Sequence, residues 1–291
     1  MTYITEQNLT DVVLKRWQDI PDPRLKEIMQ SMIKHLHAFV RDVEPTGAEW
    51  FKAIDWITRT GQMSDNKRQE VILFSDVMGV SMLVDAINNR LQTGATPTTV
   101  EGPFHVADAP EVANGGNMAA GAPGIPTFVT GKVRSLDGAP VAGAMLDLWQ
   151  TDGEGLYEAQ KGIDEPWMRG IYHSQADGSY SLRTVAPIAY TIPMDGTVGE
   201  LMEQTEISHM RPAHIHFAVS APGYHKVTTH LFQKGDEFIN SDVVYGVKEP
   251  LIVEFTKKSG GKAPNGEMMN EPFYVVEYDF ILQKQAKAKA A

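Results

Sequence analysis

Arg211-Pro-Ala-His-Ile-His-Phe-Ala-Val-Ser-Ala-Pro-Gly-Tyr-His-Lys-Val-Thr-Thr-His-Leu-Phe232 reads as two strands about a turn. Pro222-Gly223 is the turn, with strands over His214–Ser220 and Val227–Phe232. Side chains alternate along a strand, so His214 and His216 share one face and Ile215 takes the other. Two imidazoles side by side on a rigid strand make half of a metal site. The 291 residues include no cysteine, so nitrogen and oxygen donors must supply the rest.

Outward from this stretch the period of two persists. Val129, Gly131 and Val133 run to Asp137-Gly138, a hairpin signal, and Ala144 to Trp149 supply further strand. Asp152-Gly-Glu-Gly155 and Asp177-Gly178 are turns, and Pro187 and Pro193 bracket an irregular piece that holds Tyr190. Leu251–Phe255 and Tyr274–Leu282 close the series. Short strands between regular turns predict a β-sandwich over residues 127–291.

The N-terminal part follows another rule. Asp22 is an N-cap before Pro23, and Leu25, Ile28, Met29, Met32, Ile33 and Leu36 recur at three- and four-residue steps. Thr46 and Glu49 form a capping box, and one long helix is expected from about Asp65 to Gly94. Met29 and Met32 are expected to fill a core. His35 and His37 are expected to face outward. Residues 94–126 lose all periodicity and read as a connection laid over another surface, which assigns 1–126 to a helical domain with its connection.

Composition sets limits. A formal charge of -11 with no basic patch argues against nucleic acid. No apolar run reaches the roughly 20 residues of a bilayer span. The N-terminus lacks the basic and apolar regions of an export signal, which leaves the cytoplasm as the default. Lys284 to Ala291 reads as a frayed tail.

The metal's other ligands are not set by the two histidines. Ala218 stands where a zinc hydrolase of the His-x-His-x-Asp type carries its Asp, and Phe217 to Tyr224 holds no cupin-type Glu. Tyrosine is a candidate: its phenolate is a hard donor suited to a trivalent ion, provided a nearby cation lowers its pKa from about 10. Tyr157, just past a turn, and Tyr190 occupy irregular positions, although most tyrosines in a sandwich are packing residues. His105, His173, His209 and His225 lie near turns without a paired partner at metal spacing.

A wider pattern includes these residues. Gly143-Ala-Met-Leu-Asp-Leu-Trp-Gln150, Gly155-Leu-Tyr157, Asp177-Gly-Ser-Tyr180 through Tyr190, and Arg211-Pro-Ala-His-Ile-His216 resemble, in order, the intradiol ring-cleaving dioxygenases over nearly the whole chain. The resemblance implies a non-haem Fe(III) held by Tyr157, Tyr190, His214 and His216, with O2 as co-substrate. It implies that a catechol-type substrate binds through adjacent hydroxyls, that Tyr190 and a hydroxide carry off their protons, and that Arg211 stabilises the charge that builds on the ring. Phe74-Ser-Asp-Val-Met-Gly-Val-Ser-Met-Leu83 and Ser241-Asp-Val-Val-Tyr-Gly-Val-Lys248 resemble the hydroxyquinol-cleaving branch. The implied reaction is hydroxyquinol (1,2,4-trihydroxybenzene) to 3-hydroxy-cis,cis-muconate and maleylacetate, with catechol or chlorocatechol as the alternative substrate. His230 stands where many catechol-cleaving relatives carry Gln; it is either an acid/base beside the site or a strand histidine satisfied by a neighbour.

The same resemblance implies a pocket wall of Leu73, Asp76, Val100, Gly102, Pro103, Phe104 and Val244, with Asp76 accepting from the third hydroxyl. Glu101 stands where relatives have an apolar residue, and either admits a more polar ring or faces solvent. A homodimer through the N-terminal helices, with a lipid between them, is also implied. The competing non-enzyme reading is a β-sandwich binding module, since Gly138-Ala-Pro-Val-Ala-Gly143 resembles the turn of small adhesion domains.

Overall fold

A computed structural model describes residues 3–65, 68–107 and 109–286. By contacts the chain divides into two compact units, Met1–Arg59 and Thr60–Ala291. Among the described residues five α-helices come first: α1 (Leu9–Arg16), α2 (Pro23–Val43), α3 (Gly47–Gln62), α4 (Glu70–Val77) and α5 (Val80–Asn88). Their starts follow the caps. Asp22 accepts from the Arg24 and Leu25 amides, and the Thr46–Glu49 box closes at 2.8 and 3.3 Å.

Two helical expectations fail. The long helix from Asp65 is broken into α4 and α5, because Gly79 adopts φ +69°, a left-handed turn that glycine takes without penalty. Met32 is 44% exposed and fills no core within its unit; of α2 only Ile33 is buried. Leu36 and Phe39 are likewise more than half exposed, so the apolar stripe exists but stays uncovered. His37 is half-buried, 3.0 Å from the Thr10 hydroxyl. Among the described residues no helix is long and apolar enough to cross a membrane.

The remainder is a sandwich. Its strands are β1 (Pro126–Ser135), β2 (Met145–Trp149), β3 (Arg169–His173), β4 (Ser179–Val185), β5 (Tyr190–Thr191), β6 (Met210–Arg211), β7 (His214–Ser220), β8 (Val227–Gln233), β9 (Ile252–Val253), β10 (Thr256–Lys258), β11 (Gly261–Lys262), β12 (Met268–Met269), β13 (Phe273–Glu277) and β14 (Phe280–Leu282). Short helices α6 (Glu158–Lys161) and α7 (Thr197–Met202) interrupt them. One five-stranded sheet runs β3-β2-β7-β8-β9; the other runs β10-β13-β1-β14, with β4 also on β1. β7 and β8 form the expected antiparallel hairpin. Asp137-Gly138 does turn, yet a single bridge, Arg134–Pro140, follows before the chain crosses to the other sheet.

The alternation along β7 decides what each face does. Ile215, Phe217 and Val219 enter the core with Leu146 and Leu148 of β2 and Val129, Val276 and Phe280 of the opposite sheet. Phe217 and Phe280 meet across the sandwich at 4.9 Å between ring centroids. Each such side chain contributes about 1.5–3 kcal/mol by leaving water, which fixes the register of β7. His214 and His216 are thereby committed to the other face. The tail is ordered further than expected: Lys284 bridges Tyr224 and binds Asp137 at 2.8 Å, while residues 287–291 lie outside the described chain.

Candidate metal centre

On the face away from the core, β7 sits between β2 and β8. His216 is opposite Trp149 on one side and His230 on the other, and His214 is opposite Phe232. Trp149 stacks on His216 at 4.7 Å and 20°. Both histidines are only 2% exposed. His214 Nδ1 lies 2.6 Å from the Pro212 carbonyl, which can only accept, so Nδ1 carries the proton and Nε2 offers a lone pair. The two Nε2 atoms are 3.1 Å apart. Burial, then the positive charge of Arg211, holds the His214 pKa well below its ordinary value; burial, then His230, does so for His216. Both are neutral imidazoles, the form that ligates metals.

Two loops bring in the tyrosines. Asp152 Oδ1 accepts from the amides of Glu154 and Leu156, and this turn delivers Tyr157. Gly155 closes it at φ +81°, and a Cβ there would stand 3.2 Å from the Tyr190 Cβ, so glycine serves both the turn and the close approach. Tyr190 is held on β5 directly opposite Arg211 on β6. The phenol oxygens of Tyr157 and Tyr190 are 3.4 Å apart. Ring centroids separate Tyr190 from His214 by 5.5 Å and Tyr157 from His216 by 6.5 Å.

The two nitrogens, and likewise the two oxygens, have the spacing of neighbouring ligands on an ion. Ligands at right angles on bonds of about 2.1 Å lie about 3 Å apart, close to the 3.1 Å of the nitrogens and the 3.4 Å of the oxygens. Burial, and then Tyr190, raises the Tyr157 pKa well above that of free tyrosine, so the phenolate needs a cation beside it. His230 lies close by: donor atoms of His214, His216 and His230 fall within 4.8 Å of one another.

Of the other expected residues, Arg211, His230, Gly102 and Phe104 touch this cluster. Arg211, 4% exposed, has Nη1 at 3.1 Å from His214 Nε2 and Nε at 3.1 Å from Asp242 Oδ1, while Nη2 has no protein partner. His230 is fully buried; its Nδ1 bonds the Thr99 hydroxyl and its Nε2 is unpartnered. Burial, then Arg211, pushes its pKa down. Leu73, Asp76, Val100 and Val244 are buried. A Cβ on Gly102 would be 3.6 Å from the His216 ring, and Phe104 stacks on Tyr157 at 4.2 Å and 15°. Asp76 is raised by burial, lowered by Ser81 and Arg211, and raised by Asp242. Glu101 is half exposed, 3.5 Å from Lys226. The irregular segment 96–105 is thus a strap along β8, β7 and β3. Beyond the Thr99–His230 bond, Thr229 Oγ1 donates to Pro97 O at 2.8 Å, and Arg169 Nη2 donates to Phe104 O at 3.2 Å.

Four neighbours are not assigned to the site by the sequence reading. Asp242 anchors Arg211. Arg169 and Glu158 form a buried ion pair behind the Phe104–Tyr157 stack. His105 hydrogen-bonds Asp147 at 2.9 Å and packs edge-on against Trp149 at 4.6 Å, which supports the strap. Asp242 lies in a stretch quoted for its resemblance, and His105 is named in the sequence only as a histidine near a turn. The two stretches that resemble the hydroxyquinol-cleaving branch also touch, since Gly79 abuts the Tyr245 ring, 3.5 Å from where its Cβ would stand.

Comparison with known proteins agrees with this geometry. Residues 100–284 match the family model described as Dioxygenase, and 22–96 that described as Catechol dioxygenase N terminus. The chain is 45% identical over 278 residues to a 6-chlorohydroxyquinol 1,2-dioxygenase of Cupriavidus pinatubonensis, covering 95% of this chain and 97% of that one. It is 45% identical over 285 residues to a hydroxyquinol 1,2-dioxygenase of a Rhizobium species, covering 97% of each. The crystal structure of a hydroxyquinol 1,2-dioxygenase from Pseudomonas putida superimposes with a TM-score of 0.87 at 44% identity, covering 96% of this chain and 99% of that one.

Proposed function

The chain belongs to the intradiol ring-cleaving dioxygenases, and we propose that it opens hydroxyquinol, or a substituted hydroxyquinol, between the two adjacent hydroxyl-bearing carbons. One O2 is consumed and both its atoms enter the product, 3-hydroxy-cis,cis-muconate, which tautomerises to maleylacetate. The full-length likeness to hydroxyquinol-cleaving enzymes carries this reading over catechol or chlorocatechol. A non-catalytic module is set aside because the likeness includes the helical region and the enzymes' whole length.

The metal of this reading is ferric iron, held by Tyr157, Tyr190, His214 and His216. Hard phenolate oxygens with neutral imidazoles support that choice. Bound there, the ion supplies the Lewis acidity that draws charge from a doubly deprotonated ring and readies it for O2. The protein's own groups do the rest. Tyr190 accepts a proton from one substrate hydroxyl. The unpartnered Nη2 of Arg211 supports negative charge on the ring. His230 Nε2, also unpartnered, is a proton relay beside the opened ring. Asp76 accepts from the third hydroxyl, and Leu73, Val100, Gly102, Pro103, Phe104 and Val244 enclose the ring.

The exposed apolar faces of α2 and α3, with Leu36, Phe39, Trp50 and Phe51 each more than half exposed, support assembly as a homodimer with lipid between the helices. Oxygen uptake by the purified, iron-loaded protein with hydroxyquinol, catechol and chlorocatechols, followed by identification of the acid formed, tests the proposal. Hydroxyquinol should give the highest kcat/KM and maleylacetate. Faster turnover of catechol would establish the alternative, and no uptake with any diol or triol would refute the enzyme.

A further inference from the structure

Arg211 is a guanidinium with three donor nitrogens on a side chain of many rotamers. Its charge is useful at the reaction centre only if one edge points in a fixed direction. The turn Asp242–Gly246 fixes two of its neighbours at once. Asp242 Oδ1 accepts from Arg211 Nε at 3.1 Å, with the two side chains 2% and 5% exposed. Asp242 Oδ2 accepts from the Gly246 amide at 2.9 Å, so the carboxylate cannot swing without breaking its own turn. The Val243 amide donates to Met210 O at 3.2 Å, which ties the turn to β6, the strand that carries Arg211. Nη1 lies 3.1 Å from His214 Nε2, the donor atom of the proposed centre, so it faces that centre and is not engaged by His214 once the lone pair goes to a metal. Nη2 is buried and without a protein partner.

We propose that Asp242 is a positioning residue that aims the Nη1–Nη2 edge of Arg211 at the substrate ring. The proposal rests on the reading that Arg211 acts at the reaction centre. Gly246 belongs to the same device. A Cβ there would stand 3.1 Å from Asp242 Oδ2 and 3.4 Å from Arg211 Nη2, so even a methyl group pushes on the anchor and on the aimed edge together.

The test uses full-length, iron-loaded Asp242→Asn, Gly246→Ala and Arg211→Gln. Iron per chain, the visible tyrosinate band, hydroxyquinol affinity without oxygen, and kcat per iron are measured for each. Asn keeps the shape of Asp242 but cannot accept from both Arg211 and Gly246. Expected for Asp242→Asn are an unchanged band, affinity within about threefold, and kcat per iron lower by roughly 10- to 100-fold; Gly246→Ala should lose several-fold in the same parameter. A merely structural anchor would lower thermal stability or iron content and leave kcat per iron within about twofold in both variants, which overturns the proposal. Should Asp242→Asn fail to fold, Gly246→Ala decides alone. If Arg211→Gln keeps its kcat, the reading of Arg211 is wrong; if only that variant is slow, the Asp242 proposal alone is wrong.

Discussion

Asp76→Asn separates two readings of a buried carboxylate. Asp76 is 2% exposed and its charge is disfavoured first by burial, with Ser81 and Arg211 opposing. If it accepts from the third hydroxyl, its bond to hydroxyquinol is charge-assisted, worth about 1.5–3 kcal/mol against about 0.5–1.5 for a neutral acceptor. The amide keeps the shape and loses the charge. The expected loss is about 1–2 kcal/mol, or roughly 5- to 30-fold, in the ratio of kcat/KM for hydroxyquinol over catechol. Catechol has no third hydroxyl, so its own constants should hold nearly steady. Stability should move the other way. A carboxyl raised above the unfolded value of 3.8 binds its proton more tightly when folded, so it costs stability as pH rises through that window. The amide never ionises, and at neutral pH the variant should melt no lower than the parent. Steady-state oxygen uptake on both substrates and a thermal melt give the two readouts. An unchanged ratio with a lower melting point would mean that Asp76 only ties α4 to Ser81, and the specificity argument would fail.

Three further outcomes are expected. Tyr157→Phe removes a phenolate from the proposed ligand set and should weaken iron retention against a chelator by tenfold or more, with loss of visible absorbance; full retention of both would exclude Tyr157 as a ligand. His230→Ala should lower kcat on the order of 100-fold while iron content holds, whereas an unaffected rate would reduce His230 to a strand residue satisfied by Thr99. Phe217→Ala should cost about 3–5 kcal/mol in urea unfolding, because the ring is fully buried between the sheets; a loss below about 1 kcal/mol would contradict the packing described.

What could be read in the sequence was what strand and helix geometry dictate locally. A period of two put His214 and His216 on one face and Ile215 and Phe217 on the other, and the caps at Asp22 and Thr46 began the helices. Contacts between distant residues had no such signature. Thr99 meets His230 across 131 positions, and Asp242 meets Arg211 through a turn whose direction only the packed sandwich sets. The Asp65–Gly94 reading failed because apolar spacing ran on through Gly79 and outweighed a lone glycine. Asp137-Gly138 misled in the opposite sense: the dipeptide makes its turn, but the strand after it belongs to the other layer. Tyr157 and Tyr190 could be chosen only by resemblance, since their convergence depends on two irregular loops touching at Gly155.

The contact of Gly79 with Tyr245 has a practical corollary. One residue turns a helical hairpin beside Asp76; the other, at φ +59°, belongs to the loop that anchors Arg211 and carries Val244. Neither piece can be redrawn without its counterpart, because each is the other's mould. Chimeras between hydroxyquinol- and catechol-cleaving enzymes should therefore exchange residues 74–83 and 241–248 as a matched set, and single-segment swaps should come out poorer than either parent.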